Sequence, residues 1–395
     1  MPRVLVLTPA PTPYRDPFWG RVAQQPGIDL LVCYLAKDSR DRPWRVTWPR
    51  EFSYRELSGY NFFAWRGPTE VCYWNPEVAR LVRPAQCDAV ILGGYNHPTL
   101  LAAMWQARRH DIPFFVMSES HLKNRRSAWK AALKRPLLRW MTRHATGLFP
   151  TGELAQRYFE HYGARPDQCV PIPNVPDVVA LRRRTLEHLG RRQEVRERLG
   201  IKEGKVILFV GRLIPKKGVR TLIEACARLT PDFDWRLILL GDGTARPQLE
   251  DTARRTGAAE RVRFAGFVQP QELPDWYLAA DAFVLPSSET WGVVALEALA
   301  CGLPVIVSDQ TGCGPDILPH GEHADRVFPF GDAAALAERL AAVLRTPLDR
   351  RARMTTLREH LERFEYDVLA RRMAAAVTRS CKPVPARETE IPCPV

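Results

Sequence analysis

Two glutamates, eight positions apart, are the residues of this chain best suited to bind a ligand. Glu289 lies just before a short predicted helix, Val293–Ala300, and Glu297 lies inside that helix among apolar residues. A carboxylate in such a place is costly unless it is paired or hydrogen-bonded. The adjacent hydroxyls of a ribose suit one carboxylate, and roughly 12 Å along the helix axis separates the two glutamates. The spacing fits a nucleotide sugar lying along the helix. The same spacing would also be explained if Glu297 were paired with an arginine and Glu289 capped the helix.

The start of this helix and a basic loop earlier in the chain could together hold a diphosphate. The first N–H groups of a helix have no intrahelical partner and attract anions. Here they would be those of Trp291, Gly292 and Val293. Arg212 and Lys217 follow the predicted strand Lys205–Gly211, and ligands of parallel α/β sheets bind at the carboxyl ends of strands. Fixed cations there would stabilise charge on a departing diphosphate. The alternative for this loop is a solvated basic turn.

The elements that position these residues alternate between apolar runs and helical patterns, which indicates parallel α/β architecture. In the first half we predict strands at Val4–Thr8, Leu30–Leu35, Ala89–Gly93, Phe114–Met117 and Gly147–Pro150, and helices at Pro98–Arg109 and Ser127–His144. In the second half we predict strands at Lys205–Gly211, Trp235–Gly241, Arg261–Gly266, Ala282–Pro286 and Pro304–Ser308, and helices at Val219–Leu229, Pro274–Ala280 and Val293–Ala300. The pattern predicts two domains, 1–177 and 178–395, joined around 176–200, and the last helix is placed to pack back on the first domain.

Six segments of the second half resemble glycosyltransferase family 4, in order and at that family's spacing. They are Gly211-Arg-Leu-x-x-x-Lys-Gly218, Leu240-Gly-Asp-Gly243, Phe264-x-Gly-Phe267, Glu289-x7-Glu297, Ala300-Cys-Gly-Leu-Pro-Val-Ile306 and Thr311-Gly-Cys-Gly-Pro-Asp316. The resemblance implies the GT-B fold, which has two Rossmann-like domains whose parallel sheets face each other across a cleft. It also implies transfer of a sugar from a nucleotide diphosphate to a hydroxyl, with retained anomeric configuration and without a metal.

The resemblance implies a role for each matching residue. Arg212 and Lys217 would hold the diphosphate, Glu297 the ribose, and Glu289 the transferred sugar. Gly241, Gly243 and Phe267 would lie near the nucleotide. We expect UDP as the first choice of nucleotide, with GDP and ADP as alternatives, and no cofactor, since the nucleotide sugar is a substrate.

We also expect no metal site. The acidic sequence Asp232-Phe-Asp234 precedes a predicted strand instead of following one, and a solvated turn is the interpretation.

The first half matches the family less well, and its candidates are six polar residues that follow predicted strands. Family members often carry a glycine pair after the first strand, whereas this loop is rich in proline and has no glycine before Gly20. The candidates for contacts with the donor or acceptor are Tyr14, Arg15, Asn96 and His97, and those for catalysis are Glu119 and His121. For each, a surface-loop or helix-capping role is the alternative.

The formal net charge of +13 is concentrated partly in residues 123–143, which contain eight Lys or Arg and no acid. Trp129 and Leu133 are interleaved with these cations, and such a helix can dock on an anionic bilayer. Pro136 is expected to kink or end it. If the membrane contact holds, a lipid-linked saccharide or polysaccharide precursor is a candidate acceptor. The alternative is an ordinary helix with its apolar face packed inward.

Competing functions are another enzyme of the same fold, such as an epimerase or phosphorylase, and a polyanion-binding protein without catalysis. Nucleic acid is not an expected partner, because the basic residues match no nucleic-acid-binding motif. No window approaches 18 uncharged apolar residues. Nine scattered cysteines are typical of reduced thiols. We therefore expect a cytoplasmic protein, with the inner face of the plasma membrane as a possible place of contact.

Overall fold

The structure is a computed structural model that describes residues 1–37, 49–63, 71–123, 128–201, 203–229, 233–319 and 321–381. Its N-terminal domain is built on six parallel strands in the order β3-β2-β1-β6-β7-β8. They are β1 (Arg3–Thr8), β2 (Asp29–Tyr34), β3 (Ser53–Glu56), β6 (Ala89–Leu92), β7 (Phe114–Ser118) and β8 (Gly147–Pro150), and β4 (Tyr60–Asn61) and β5 (Tyr73–Trp74) form a small antiparallel pair. The helices are α1 (Arg15–Ala23), α2 (Val78–Leu81), α3 (Pro98–Arg109), α4 (Ala128–His144) and α5 (Glu153–His161).

The C-terminal domain repeats this architecture, with six parallel strands in the order β11-β10-β9-β12-β13-β14. They are β9 (Lys205–Val210), β10 (Trp235–Leu240), β11 (Val262–Gly266), β12 (Ala282–Leu285), β13 (Val305–Ser308) and β14 (Val327–Phe328). The helices are α6 (Val178–His188), α7 (Arg192–Arg198), α8 (Val219–Ala227), α9 (Arg246–Arg255), α10 (Leu273–Ala279), α11 (Val293–Ala300), α12 (Gly314–Ile317), α13 (His323–Arg326), α14 (Ala333–Arg345), α15 (Arg350–Thr356), α16 (Arg358–Glu362) and α17 (Tyr366–Thr378).

The central strands are continuous apolar runs because helices cover both faces of each sheet. β12 and β13 are buried at every position. In each sheet the first strand, β1 or β9, is central. The next two strands of that sheet lie on one side of it and the last three on the other, which is the topology of a doubly wound sheet. The predicted fold of two Rossmann-like domains with parallel sheets is confirmed.

The segment between the sheets and the chain's last described helix connect the two domains. Residues 178–198 form α6 and α7, and the Asp177 carboxylate accepts a hydrogen bond from Ala180 N at 2.8 Å as the N-cap of α6. The last helix, α17, lies against α1, where the Tyr366 hydroxyl donates to Tyr14 O at 3.2 Å. The domain boundary near residue 177 stays a prediction.

The structure differs from the sequence analysis at two local points. Pro136 neither ends nor breaks α4, which runs through it from Ala128 to His144. The sequence pattern also missed β3, whose four residues are polar and exposed, because an edge strand can pair through its backbone alone. Asp232, the first acid of the D-x-D sequence, lies outside the described residues.

Candidate active site

Apart from Val293 and Glu297, which lie on α11, the C-terminal candidates lie on loops at the carboxyl ends of neighbouring strands. Arg212 and Lys217 follow β9, and Glu289 follows β12, the adjacent strand. The two loops are joined where Ser288 N donates to Lys216 O at 2.9 Å. Gly241 and Gly243 follow β10, and Phe267, 42% exposed, follows β11. The fold therefore places the family-matched residues along one edge of the second sheet.

Lys217 and Glu289 form a short ion pair at this edge. Lys217 Nζ lies 2.6 Å from Glu289 Oε1, and the lysine is only 7% exposed. Ser287 Oγ donates to the other carboxylate oxygen, Oε2, at 3.1 Å. The alternative interpretation of a solvated basic turn is wrong for Lys217, because a buried ammonium needs a fixed anionic partner.

Glu297 accepts a short hydrogen bond from a tyrosine. The hydroxyl of Tyr277, on α10, donates to Glu297 Oε2 at 2.6 Å, and the tyrosine is fully buried. Burial raises the pKa of Glu297, and the tyrosine hydrogen bond opposes that rise. Among the described residues no arginine pairs with Glu297. Glu297 is therefore not the arginine-paired glutamate of the alternative interpretation.

Gly292 makes the sharp turn that starts α11 between the two glutamates. Its φ of +120° is a conformation that other residues rarely adopt, and a Cβ there would lie 2.8 Å from Leu285 Cδ2. The turn leads directly into Val293, the first helical residue. The first N–H groups of α11 therefore lie between Glu289 and Glu297 along the chain, at an end of the helix that favours anions.

Residues 119–123 of the N-terminal domain contact the loops that follow β12 and β13 in the C-terminal domain. The Glu119 carboxylate accepts hydrogen bonds from Thr290 Oγ1 at 3.0 Å and from Asn174 Nδ2. Lys123 Nζ donates to Asp309 O at 2.7 Å. Both oxygens of Glu119 thus accept protein hydrogen bonds, which favours a tie between the domains over proton transfer by this residue.

His121 also crosses the domain interface. Its Nε2 lies 3.0 Å from Glu289 O, and because a carbonyl oxygen can only accept, Nε2 carries the proton. The ring is 3% exposed, and Nδ1 is buried without a protein partner among the described residues. Burial lowers the pKa of His121, so the neutral ring is favoured. Its bare Nδ1 is then an acceptor for a hydroxyl.

Trp291 is buried between the domains and does not present its side chain to a ligand. Its indole Nε1 donates to Asn174 O at 2.7 Å, and the residue is 2% exposed. The ring lies so close to Gly152 that a Cβ there would come within 2.5 Å of Trp291 Cζ3. Only the backbone of Trp291 is placed to contact a donor.

Asp316 extends this interface from the C-terminal domain to the start of α5. Its two carboxylate oxygens each lie 3.1 Å from Glu153 N. Burial raises the pKa of the Asp316 carboxyl to about 6. The carboxylate thus caps a helix of the other domain.

Tyr14 and Arg15 lie where the first strand's loop meets the cleft. Arg15 Nη2 lies 3.9 Å from Glu119 Oε1, and Arg15 Nη1 lies 3.2 Å from Met117 Sδ. The Arg15 side chain is 15% exposed, and burial lowers its pKa. Arg15 is therefore a largely buried cation beside Glu119 and not part of a loose surface loop.

Asn96 and His97 differ in their surroundings. Asn96 is exposed, whereas His97 is buried, and its Nδ1 accepts a hydrogen bond from Tyr73 N at 3.3 Å. Burial lowers the pKa of His97 to about 4. The structure therefore gives His97 a role in anchoring β5, and only Asn96 remains a candidate for contact with an acceptor.

The described residues contain no group of three or more His, Cys, Asp or Glu side chains placed to hold a metal ion. None of the helices in the described part of the chain is long and apolar enough to cross a membrane.

Both domains match known families. Residues 3–175 match the glycosyl transferase 4-like domain, and residues 191–358 match glycosyl transferases group 1. The chain belongs to the family 4-type glycosyltransferases of the GT-B fold. Among its relatives, a D-inositol 3-phosphate glycosyltransferase of Xylanimonas cellulosilytica is 34% identical over 245 residues, covering 60% of this chain and 57% of the relative. An alpha-D-kanosaminyltransferase of Streptomyces kanamyceticus is 38% identical over 125 residues, or 31% of this chain and 32% of the relative.

Solved structures share the whole fold at low sequence identity. Anabaena HepE in complex with UDP superposes with a TM-score of 0.72 and 19% identity, covering 96% of this chain and all of that one (100%). The lipopolysaccharide outer core galactosyltransferase WaaB gives a TM-score of 0.67 and 16% identity over 95% of this chain and 99% of that one. At these identities the likeness is one of fold, and the matched part spans 57% or less of the two curated relatives named above.

Sequence reasoning missed three residues of this site. Tyr277 lies in an apolar helix and is indistinguishable there from a core aromatic residue. Asn174 and Gly152 act through the other domain, and no local pattern reports a contact between domains. The sequence marks Asn174 only by its place in the Pro-rich break 170–177, where asparagine is an ordinary loop residue.

Proposed function

We propose that this protein transfers a sugar from a UDP-sugar to a hydroxyl acceptor, with retention of anomeric configuration and without a metal. The observation that carries the proposal is the arrangement of Lys217, Glu289 and Glu297 around the start of α11. Glu289, the start of α11 and Glu297 follow one another there in the order sugar, diphosphate and ribose, which is the order of these groups in a nucleotide sugar, and the buried Lys217 lies beside Glu289. UDP is the nucleotide of choice because Anabaena HepE, a fold neighbour, was solved with UDP.

Each residue then has a defined task in the reaction. Lys217 and Arg212 stabilise the charge that develops on the departing diphosphate, which would do the work a metal does elsewhere. Glu289 orients the sugar through its hydroxyls. The sugar passes through an oxocarbenium-like state. The departing diphosphate lies on the face that the acceptor approaches and takes the acceptor's proton, so that Glu289 need not act as a nucleophile.

The N-terminal domain supplies further contacts to the site from across the domain interface. His121 keeps its proton on Nε2 for Glu289 O, so its Nδ1 can accept a hydrogen bond from a sugar hydroxyl. Arg15 adds a third cation near the cleft. Because these groups meet the donor loop only across the interface, we expect closure of the domains to complete the site.

The proposal is tested with a panel of UDP-, GDP- and ADP-sugars and with the anomeric configuration of the product. A ligand at 100 times its Kd stabilises its protein by roughly 2.7 kcal/mol, so the matching nucleotide should raise the thermal midpoint by several degrees. NMR of the product should then show the anomer of the donor, in the presence of EDTA. An inverted anomer would refute retention, and activity abolished by EDTA would refute metal independence. A thermal midpoint that no nucleotide raises would refute the nucleotide-sugar donor.

We further propose that the acceptor is a lipid-linked saccharide reached at an anionic membrane surface. Two apolar side chains in the first half of α4 are exposed among the described residues: Trp129 is 66% exposed and Leu133 73% exposed. Leu138 and Met141, later in the same helix, are buried and anchor it. The exposed basic residues include Arg135, Arg139 and Arg143, whereas 124–127 lie outside the described residues. Exposed apolar side chains flanked by cations favour an anionic bilayer over packing within this chain.

Vesicle co-sedimentation tests this second part. Replacing Trp129 and Leu133 with serine should abolish binding to vesicles containing phosphatidylglycerol, and so should neutralising Lys130, Lys134, Arg135 and Arg139. Trp105→Ser is the matched control, since Trp105 is 54% exposed on α3, outside this surface. Unchanged binding in the first two variants, or equal loss in the control, would dispose of the membrane contact while leaving the transferase proposal intact.

A further inference from the structure

The hydrogen bond between Tyr277 and Glu297 divides the glutamate's two oxygens between protein and cleft. Oε2 accepts from the Tyr277 hydroxyl at 2.6 Å, a length typical of a hydroxyl bonded to an ionised carboxylate. Among the described residues no other group donates to Glu297. Tyr277 is fully buried while Glu297 is half-buried, so the protein core holds Oε2, and Oε1 accepts no hydrogen bond from the described residues.

A buried arginine fixes the helices that carry this pair. Arg350, 4% exposed, donates from Nη1 to Tyr277 O at 2.8 Å and from Nη2 to Ala280 O at 2.5 Å, both at the end of α10. Nη1 also lies 3.5 Å from Cys301 O, at the end of α11. One guanidinium therefore ties the end of the tyrosine's helix to the end of the glutamate's helix, so the hydroxyl and the carboxylate meet in a fixed geometry.

We propose that Tyr277 is a positioning residue that holds Glu297 with one carboxylate oxygen turned to the nucleotide's ribose, and so makes the site selective for nucleotides that carry the 2′ and 3′ hydroxyls. The inference rests on the proposed function, since it assumes that Glu297 faces a ribose. Tyr277 does not touch the nucleotide itself. Without its hydroxyl, the carboxylate loses its fixed direction and its internal donor, and the ribose hydroxyls lose a preorganised acceptor.

The test is a titration of UDP and of 2′,3′-dideoxyuridine diphosphate into the wild type, Tyr277→Phe, Glu297→Gln and the double variant. The Tyr277 hydroxyl bonds to Glu297 in the free protein as well as in the complex, so its removal weakens binding only through the lost orientation of the carboxylate, and we expect a cost of about 1.4 kcal/mol, or tenfold in affinity. Tyr277→Phe should therefore weaken UDP binding about tenfold and leave binding of the dideoxy nucleotide almost unchanged. Tyr162→Phe, at a buried tyrosine of the N-terminal domain, is the control and should change neither.

The double variant keeps the proposal testable if Tyr277→Phe folds poorly, because an amide at position 297 removes the unsatisfied buried charge. It should bind both nucleotides as Glu297→Gln alone does. Equal loss of both nucleotides in Tyr277→Phe, or a double variant weaker than Glu297→Gln, would show a structural role and overturn the inference. A wild type that binds UDP no better than the dideoxy nucleotide would also overturn it. A wild type that binds neither nucleotide would refute the proposed function itself.

Discussion

The ion pair between Lys217 and Glu289 predicts opposite consequences for two variants that remove it. The ammonium and the carboxylate are 2.6 Å apart, with side chains 9% and 23% exposed, so neither is freely solvated. In the donor complex Lys217 is proposed to serve the diphosphate and Glu289 the sugar. Lys217→Met should therefore weaken binding of UDP, whereas Glu289→Gln should not, because UDP carries no sugar for Glu289 to hold.

The magnitudes follow from what each variant removes. A hydrogen bond from a charged donor contributes about 1.5–3 kcal/mol, so Lys217→Met should bind UDP about 10- to 100-fold more weakly. Glu289→Gln removes the anion that competes with phosphate for the ammonium, and UDP affinity should stay equal or increase. Transfer from the UDP-sugar should nevertheless fall about 100-fold in Glu289→Gln, the size expected for a misoriented reactant.

Isothermal titration with UDP and measurement of UDP release under turnover separate these effects. The matched control is Glu224→Gln, which removes an exposed ion pair with Arg220 at 2.8 Å on α8. Exposed pairs contribute about 0–1 kcal/mol, so the control should leave binding and turnover unchanged. If Glu289→Gln loses UDP affinity as severely as Lys217→Met, the pair is a structural salt bridge, and the division of tasks is refuted.

Three further variants test the interface and the turn. Gly152→Ala would push a methyl group into the Trp291 ring. The rate of transfer should therefore fall at least tenfold, while the affinity for UDP should stay the same. Gly190→Ala, where a Cβ meets open space, is the control and should change neither the rate nor the affinity. Burial raises the pKa of Asp316 to about 6 from its ordinary 3.8. The folded state then binds the proton more tightly than the unfolded state, so stability falls as pH rises from about 4 to about 6. Relative to Asp316→Asn, the wild type should lose up to about 3 kcal/mol of unfolding free energy between pH 4 and pH 7 in urea titrations, and parallel profiles would contradict this. Gly292→Ala, strained at a φ of +120°, should cost about 1–3 kcal/mol in the same assay, and an unchanged midpoint would count against the strain.

Much of the fold could be predicted from the sequence because each central strand is buried on both faces. The apolar run of such a strand can therefore be recognised in the sequence, as in β6 and β12. β3 was missed because it is held only by backbone pairing along one edge. Pro136 was misjudged because a local rule about proline was applied to a helix whose later turns are anchored by buried Leu138 and Met141.

The sequence allowed the residues of the candidate site to be predicted within single loops, but not the contacts between loops. Lys217 and Glu289 were chosen separately, and their direct pairing needed the positions of two neighbouring strands. Contacts such as Trp291 Nε1 to Asn174 O depend on how two separately folded sheets meet, which no local periodicity encodes. The roles assigned to the site residues stay predictions until a donor is bound.

The most direct test of the central claim is a crystal structure of the protein with UDP bound. The account predicts ribose hydroxyls within hydrogen-bond distance of the Glu297 carboxylate, with Tyr277 still bonded to its other oxygen, and diphosphate oxygens within reach of Lys217 at the start of α11. A nucleotide bound elsewhere, or a ribose turned away from Glu297, would contradict it.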